Sequence, residues 1–96
     1  MRESRVVWKY SFDRPESVVT FAMPIGAEFL TLQTQFNVPC VWMLVNPKAE
    51  LENRTFVVFG TGHSMEWSGP RDLSYVGTFQ LDGGAFVFHV FERMGG

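Results

Sequence analysis

The segment Gly60-Thr61-Gly62-His63 is the first place in this 96-residue sequence where residue types and spacing suggest chemistry. Two glycines flank a hydroxyl at the end of an apolar run, an arrangement that can turn successive backbone N–H groups toward one anion. His63 would add a hydrogen-bond donor or a general acid. Glu66, Trp67 and Arg71 follow in the same polar stretch. An Arg pairs with phosphate or carboxylate, and an indole in a polar loop needs something to pack against. Gly60, Thr61, Gly62, His63, Trp67 and Arg71 together therefore describe a site for a nucleotide-like small molecule, the Trp stacking on a base and the Arg neutralising charge. His63 with Glu66 describes instead the acid–base pair of a small hydrolase. Against both stands a plainer expectation: a glycine-permitted bend opening a loop that folds onto its own sheet around Trp67. The pattern lacks the Lys and the following helix of a phosphate-binding P-loop.

The remaining reactive residues are sparse. His89 sits between Val87 and Phe91 on one face of an apolar run and reads as a hydrogen-bonded core or interface histidine. His63, His89 and Glu66 are too scattered to argue for a metal centre. Cys40, beside Val41 and Trp42, reads as a small buried hydrophobe, with no electropositive neighbourhood to favour a thiolate. Ser64, Ser68 and Ser74 lack a nucleophile-elbow pattern. Glu50 and Glu52 read as a solvated edge, and Glu28 and Glu92 bound apolar runs rather than interrupt them, so none sits where burial would raise a carboxyl pKa. The inventory points to a protein that performs no chemistry and holds neither cofactor nor metal.

The elements that must carry these residues alternate with period two, and no helical periodicity competes with them. Strands are expected over Val6–Phe12, Ser17–Met23, Glu28–Phe36, Cys40–Val45, Arg54–Thr61, Leu73–Leu81 and Ala85–Glu92. Asp13-Arg14-Pro15-Glu16 and Pro24-Ile25-Gly26 read as turns, Asn37-Val38-Pro39 as a short connection, and Asp82-Gly83-Gly84 as a tight turn. The polar stretch from Asn46 to Asn53 is long enough for one helical turn around Ala49–Glu52. Leu30 and Leu32 are expected inward, as are Leu73, Tyr75, Phe79 and Leu81. The unbroken apolar run Cys40–Val45 reads as a strand covered on both faces, placed centrally in the sheet or across an interface. About seven strands with short turns and little or no helix make an all-β chain, a single small antiparallel β-sandwich or open barrel. One domain is expected over 1–96, with its core at about 5–92 and a frayed tail at 93–96.

Ten Phe and three Trp, with 46% hydrophobic residues, exceed the needs of one small core. Trp42 points opposite to Val41 and Met43, and Phe86 and Phe88 opposite to Val87 and His89. Both faces of these strands are apolar, so a homodimer is expected to bury Trp42, Phe86 and Phe88, unless loops fold over the second face. Eight Lys and Arg stand against ten Asp and Glu, net −2, without a basic run. That disfavours nucleic acid, whose binding rests on clustered cations. The longest apolar run is far short of a membrane helix. The single cysteine and the absence of an apolar leader suggest the cytoplasm, and without a leader the sequon Asn53-Arg54-Thr55 reads as coincidence.

Trp8-Lys9-Tyr10, Met23-Pro24 with Gly26-Ala27-Glu28, Phe59-Gly60-Thr61-Gly62-His63, Gly77-Thr78-Phe79-Gln80-Leu81 and Phe88-His89-Val90-Phe91-Glu92 stand in this order. As a set they resemble a family of short phage and prophage proteins without assigned function, over about residues 6 to 92. The resemblance implies a phage-encoded protein in a bacterial cytoplasm, and it implies no activity. Three readings therefore stand: a self-associating module that binds a host or phage protein, a sponge for a nucleotide signal used in antiphage defence, and a small hydrolase.

Overall fold

Each alternating run becomes a strand, because alternation gives a pleated ribbon one face to bury. The computed structural model describes residues 4–13, 18–65 and 72–94. Its strands are β1 (Val6–Ser11), β2 (Val18–Pro24), β3 (Glu28–Gln35), β4 (Val38–Val45), β5 (Leu51–Gly60), β6 (Leu73–Leu81) and β7 (Phe86–Arg93). They form a three-stranded sheet in the order β1-β4-β3 and a four-stranded sheet in the order β2-β5-β7-β6. Every pairing is antiparallel. The fold is the all-β one expected, and of the two architectures it is the sandwich, since the sheets do not close into a barrel.

Between the sheets lie Val41, Met43 and Val45 of β4, Phe56 and Val58 of β5, Phe79 of β6, Phe88 and Val90 of β7, and Met23 of β2. Phe12 joins them, edge-on to Phe56 at 6.0 Å and to Phe21 at 5.4 Å between ring centroids. β4 is central in its sheet, as its unbroken apolar run suggested. Pro39 fits within it because its carbonyl accepts Phe12 N–H at 2.9 Å just past the end of β1, where no ladder donor is required.

Several local expectations are corrected. Two bulges invert side-chain parity: one between Phe29 and Thr31 leaves Leu30 exposed, and one between Tyr75 and Gly77 turns Tyr75 outward and Val76 toward the core. The β3–β4 connection is the two-residue turn Phe36-Asn37, both at positive φ (52° and 62°), so Val38 and Pro39 belong to β4. Leu51 and Glu52 are strand rather than helical turn, since Met23 and Pro24 of β2 pair with them. β7 extends to Arg93, and Met94 N–H donates to the Asp72 carbonyl at 2.7 Å. Of the expected turn Asp13-Arg14-Pro15-Glu16, all but Asp13 lies outside the described residues.

The hairpin tips of the two sheets are tied together. Asn37 Nδ2 donates to Asp82 Oδ1 at 2.7 Å, and Asp82 N–H donates to Asn37 Oδ1 at 3.0 Å. Along the same side β3 meets β6: a Cβ added at Gly77 would stand 3.1 Å from Leu32 Cδ2. These two edges therefore cover each other, and β1 and β2 are the outer edges of their sheets.

Candidate functional site

The glycine segment opens the loop after β5, as expected, but two of its backbone donors are engaged. Thr61 N–H donates to the Val87 carbonyl at 3.1 Å, and His63 N–H donates to the Gly60 carbonyl at 3.0 Å. Gly62 takes φ 82°, which closes that turn. The His63 ring folds back over Gly60, where an added Cβ would lie 2.7 Å from Nδ1. Gly60, Thr61 and His63 line a shallow depression of about 250 Å³ together with Phe86 and Phe88. Glu66, Trp67 and Arg71 lie outside the described residues. The structure thus brings together four of the six nominated ligand residues, with two of their N–H groups already bonded within the chain.

His89 is held at both ring nitrogens. Thr61 Oγ1 lies 2.7 Å from Nε2, Thr78 Oγ1 lies 2.9 Å from Nδ1, and Tyr75 Oη lies 2.5 Å from Thr78 Oγ1. Thr61 Oγ1 also donates to the Val87 carbonyl at 3.3 Å. One proton order satisfies the whole chain: Tyr75 donates to Thr78, Thr78 to Nδ1, Nε2–H to Thr61, and Thr61 to Val87. The imidazole is thereby held at both ends across β5, β7 and β6, an arrangement that rigidifies the sheet. Among the described residues no group of three His, Cys, Asp or Glu converges as metal ligands would. Cys40 is buried, with Sγ 3.5 Å from Ser11 Oγ and 3.4 Å from the Val38 carbonyl.

A charged clamp at the opposite end went unread in the sequence. Arg54 makes a forked contact with Glu92, Nε to Oε2 at 2.6 Å and Nη2 to Oε1 at 2.9 Å, and donates from Nη1 to the Ala27 carbonyl at 2.6 Å. The hydrogen bonds to Glu92 push the Arg54 pKa up despite its burial. Ile25 N–H donates to Glu50 and Gly26 N–H to Glu52 Oε2, so the whole β2–β3 turn is fastened onto β5. Arg54 shares a face with Phe56 and Val58, a parity that could have flagged an inward guanidinium and hence the need for a carboxylate.

The nominated interface residues separate. Phe88 is 8% exposed and belongs to the chain's own core, because it points inward with Val90. Phe86 is exposed at the rim of the depression beside His63. Trp42 is half-buried on the outer face of the three-stranded sheet, with Lys9 Nζ 5.7 Å from its ring centroid. The outer face of the four-stranded sheet is not bare: Val57 and Phe59 are buried, and Phe91 packs edge-on against both Phe59 and Tyr75. Exposed apolar surface gathers instead on β1 and the start of β3, with Val6 at 39%, Val7 at 52%, Trp8 at 39%, Phe29 at 39% and Leu30 at 48%. Trp8 and Phe29 flank Met43 in one cross-strand row. Trp8 lies on the face that Met43 buries, and its own exposure marks where the cover of the opposing sheet ends.

A family described as a domain of unknown function (DUF7352) matches residues 3–95 of the chain. No curated protein and no solved structure matches it. No helix among the described residues is long and apolar enough to cross a membrane.

Proposed function

We propose that this chain, which belongs to the family described as a domain of unknown function (DUF7352), is a non-enzymatic protein-interaction module that associates with a second copy of itself. Its other partner, following the resemblance of its motifs to short phage and prophage proteins, is a host or phage protein. The observation that carries the reading is the exposure of Val6 and Trp8 on one face of β1 and of Val7 on the other, with Phe29 of β3 exposed across Met43 on the same face as Trp8. Large apolar side chains left exposed on both faces of an outer strand mark it as an interaction surface. Chemistry has weaker support: His89 is held by two threonines, and the donors at Thr61 and His63 are internally bonded.

Sedimentation equilibrium from about 1 to about 100 µM tests the reading. A concentration-dependent dimer is expected, and Trp8→Ser combined with Phe29→Ser shifts it to monomer while the circular dichroism spectrum keeps its β signature. A chain that stays monomeric throughout this range overturns self-association.

A further inference from the structure

We propose that the free edge of β1 is the seam of that dimer, pairing antiparallel with β1 of a second copy so that two three-stranded sheets become one of six strands. The inference rests on the self-association proposed above and names its contact. In an antiparallel pair, the N–H and C=O of one residue point the same way and successive residues alternate. Phe12 N–H donates to the Pro39 carbonyl, so within β1 the residues Tyr10, Trp8 and Val6 turn their backbone groups to β4. The β3–β4 hairpin gives the same phase independently, because its two-residue turn is closed by the pair Gln35 and Val38. The N–H and C=O groups of Val7, Lys9 and Ser11 therefore point away from the sheet, to a side where no strand pairs among the described residues. Unpaired ladder groups of this kind are a template for another strand.

The strand is self-complementary in one register. A two-fold axis at Trp8 sets Val7 opposite Lys9 of the second copy and Lys9 opposite its Val7, two hydrogen-bonded pairs that make four backbone bonds. Trp8 then faces its own symmetry mate, and Val6 faces Tyr10 of the second copy. These aromatic and aromatic–aliphatic cross-strand contacts cover the exposed indole. An axis at Lys9 would oppose two like charges, and an axis at Tyr10 would shorten the overlap to the end that abuts Phe21 of β2.

Lysine on an edge strand ordinarily blocks pairing. Here Lys9 is drawn back across its own sheet: Nζ donates to Gln35 Oε1 of β3 at 2.6 Å and lies over the Trp42 ring. Its charge is thus withdrawn from the edge that its backbone offers. Closed two-fold assembly is the commonest outcome for a self-complementary patch, and a sheet extended through β1 ends at β3, whose far edge already meets β6.

Amide hydrogen exchange on the unmodified protein reads the seam directly. Val6, Trp8 and Tyr10 amides are protected in any state, whereas Val7 and Lys9 amides are protected only in the dimer. Their exchange is expected to slow on the order of 100-fold between dilute and concentrated samples. Val7→Pro removes one outward donor per copy and leaves the bonds to β4 intact, so it is expected to weaken dimerisation at least about tenfold with the fold retained. A dimer whose Val7 and Lys9 amides exchange freely overturns the seam and leaves self-association standing. A monomer at every concentration overturns both.

Discussion

β1 and β2 are both outer strands of similar length that begin with two valines, yet the structure finishes them differently. On β2 the groups that face away from β5 belong to Val18, Thr20, Ala22 and Pro24, because Ile25 N–H donates to the Glu50 carbonyl and fixes the alternation. Pro24 supplies no donor at the free edge, and its carbonyl accepts Ala27 N–H at 3.1 Å. Thr20 Oγ1 is tied to Thr55 Oγ1 at 2.8 Å. β1 has no proline, and its lysine is drawn back across the outer face of its own sheet. The difference shows that an edge is blunted by where its donors point and where its charges go, and not by composition alone.

The largest effect comes from unfastening the closed edge. Arg54 holds the turn that ends β2 through the Ala27 carbonyl while it pairs with Glu92. Arg54→Ala leaves the Glu92 carboxylate among the core residues without its partner. The expected cost is about 2 to 3 kcal/mol in urea unfolding, below the full figure for a buried pair because both side chains keep some contact with water. Arg54→Lys keeps the charge and loses the fork, and should cost about half as much. Both variants leave the exchange pattern of β1 unchanged if the two edges are independent.

A paired substitution compares the edges directly. Val7→Pro and Ala22→Pro each place proline at an outward position, so each spares its own ladder and carries a similar folding cost of about 1 kcal/mol. Only Val7→Pro should raise the dimer dissociation constant. Equal effects of the two on sedimentation would erase the distinction between β1 and β2.

The extent to which the sequence disclosed this arrangement follows its physics. Cys40 to Val45 announces a central strand, although its outer side chains Trp42 and Leu44 stay partly exposed, and the two-residue spacing elsewhere gives seven strands, because side-chain alternation is local. The bulges at Leu30 and Val76 were invisible, since one inserted residue leaves the pattern of types intact while moving Tyr75 to the other face. The free edge of β1 was equally hidden, because a strand's neighbours are set by chain topology rather than by its own residues. The loop nominated for ligand binding was legible as a loop, but the partners of its N–H groups, Val87 and Gly60, could not be read from glycine spacing.

Phe36 tests whether exposed apolar area matters away from an edge. It is 93% exposed at φ 52°, in the turn that Asn37 anchors to Asp82. A bulky residue is costly in that region, where asparagine is tolerated. Phe36→Asn should therefore raise stability by about 0.5 to 1 kcal/mol in thermal or urea unfolding and leave the dimer unchanged. A loss of dimer would move the seam from the β1 edge to the hairpin tip.

The smallest expected effect lies where the two edges approach each other. The Tyr10 ring of β1 packs on Phe21 of β2 at 5.3 Å, and its hydroxyl is shut off from water without a hydrogen-bond partner among the described residues. Burial pushes its pKa up. The neutral phenol is thus favoured in the fold, and the stability linked to it is complete below the unfolded phenol value and is lost as pH rises from there through the raised folded value. Tyr10→Phe removes a polar atom that gains nothing from burial, so it should stabilise the fold by a few tenths of a kcal/mol up to about 1 kcal/mol at neutral pH. It should also flatten the alkaline limb of the stability curve. A loss of stability in Tyr10→Phe, measured by urea unfolding at neutral pH, would show that the hydroxyl has a partner where the two strands approach, and that β1 is tethered to β2 there rather than merely packed against it.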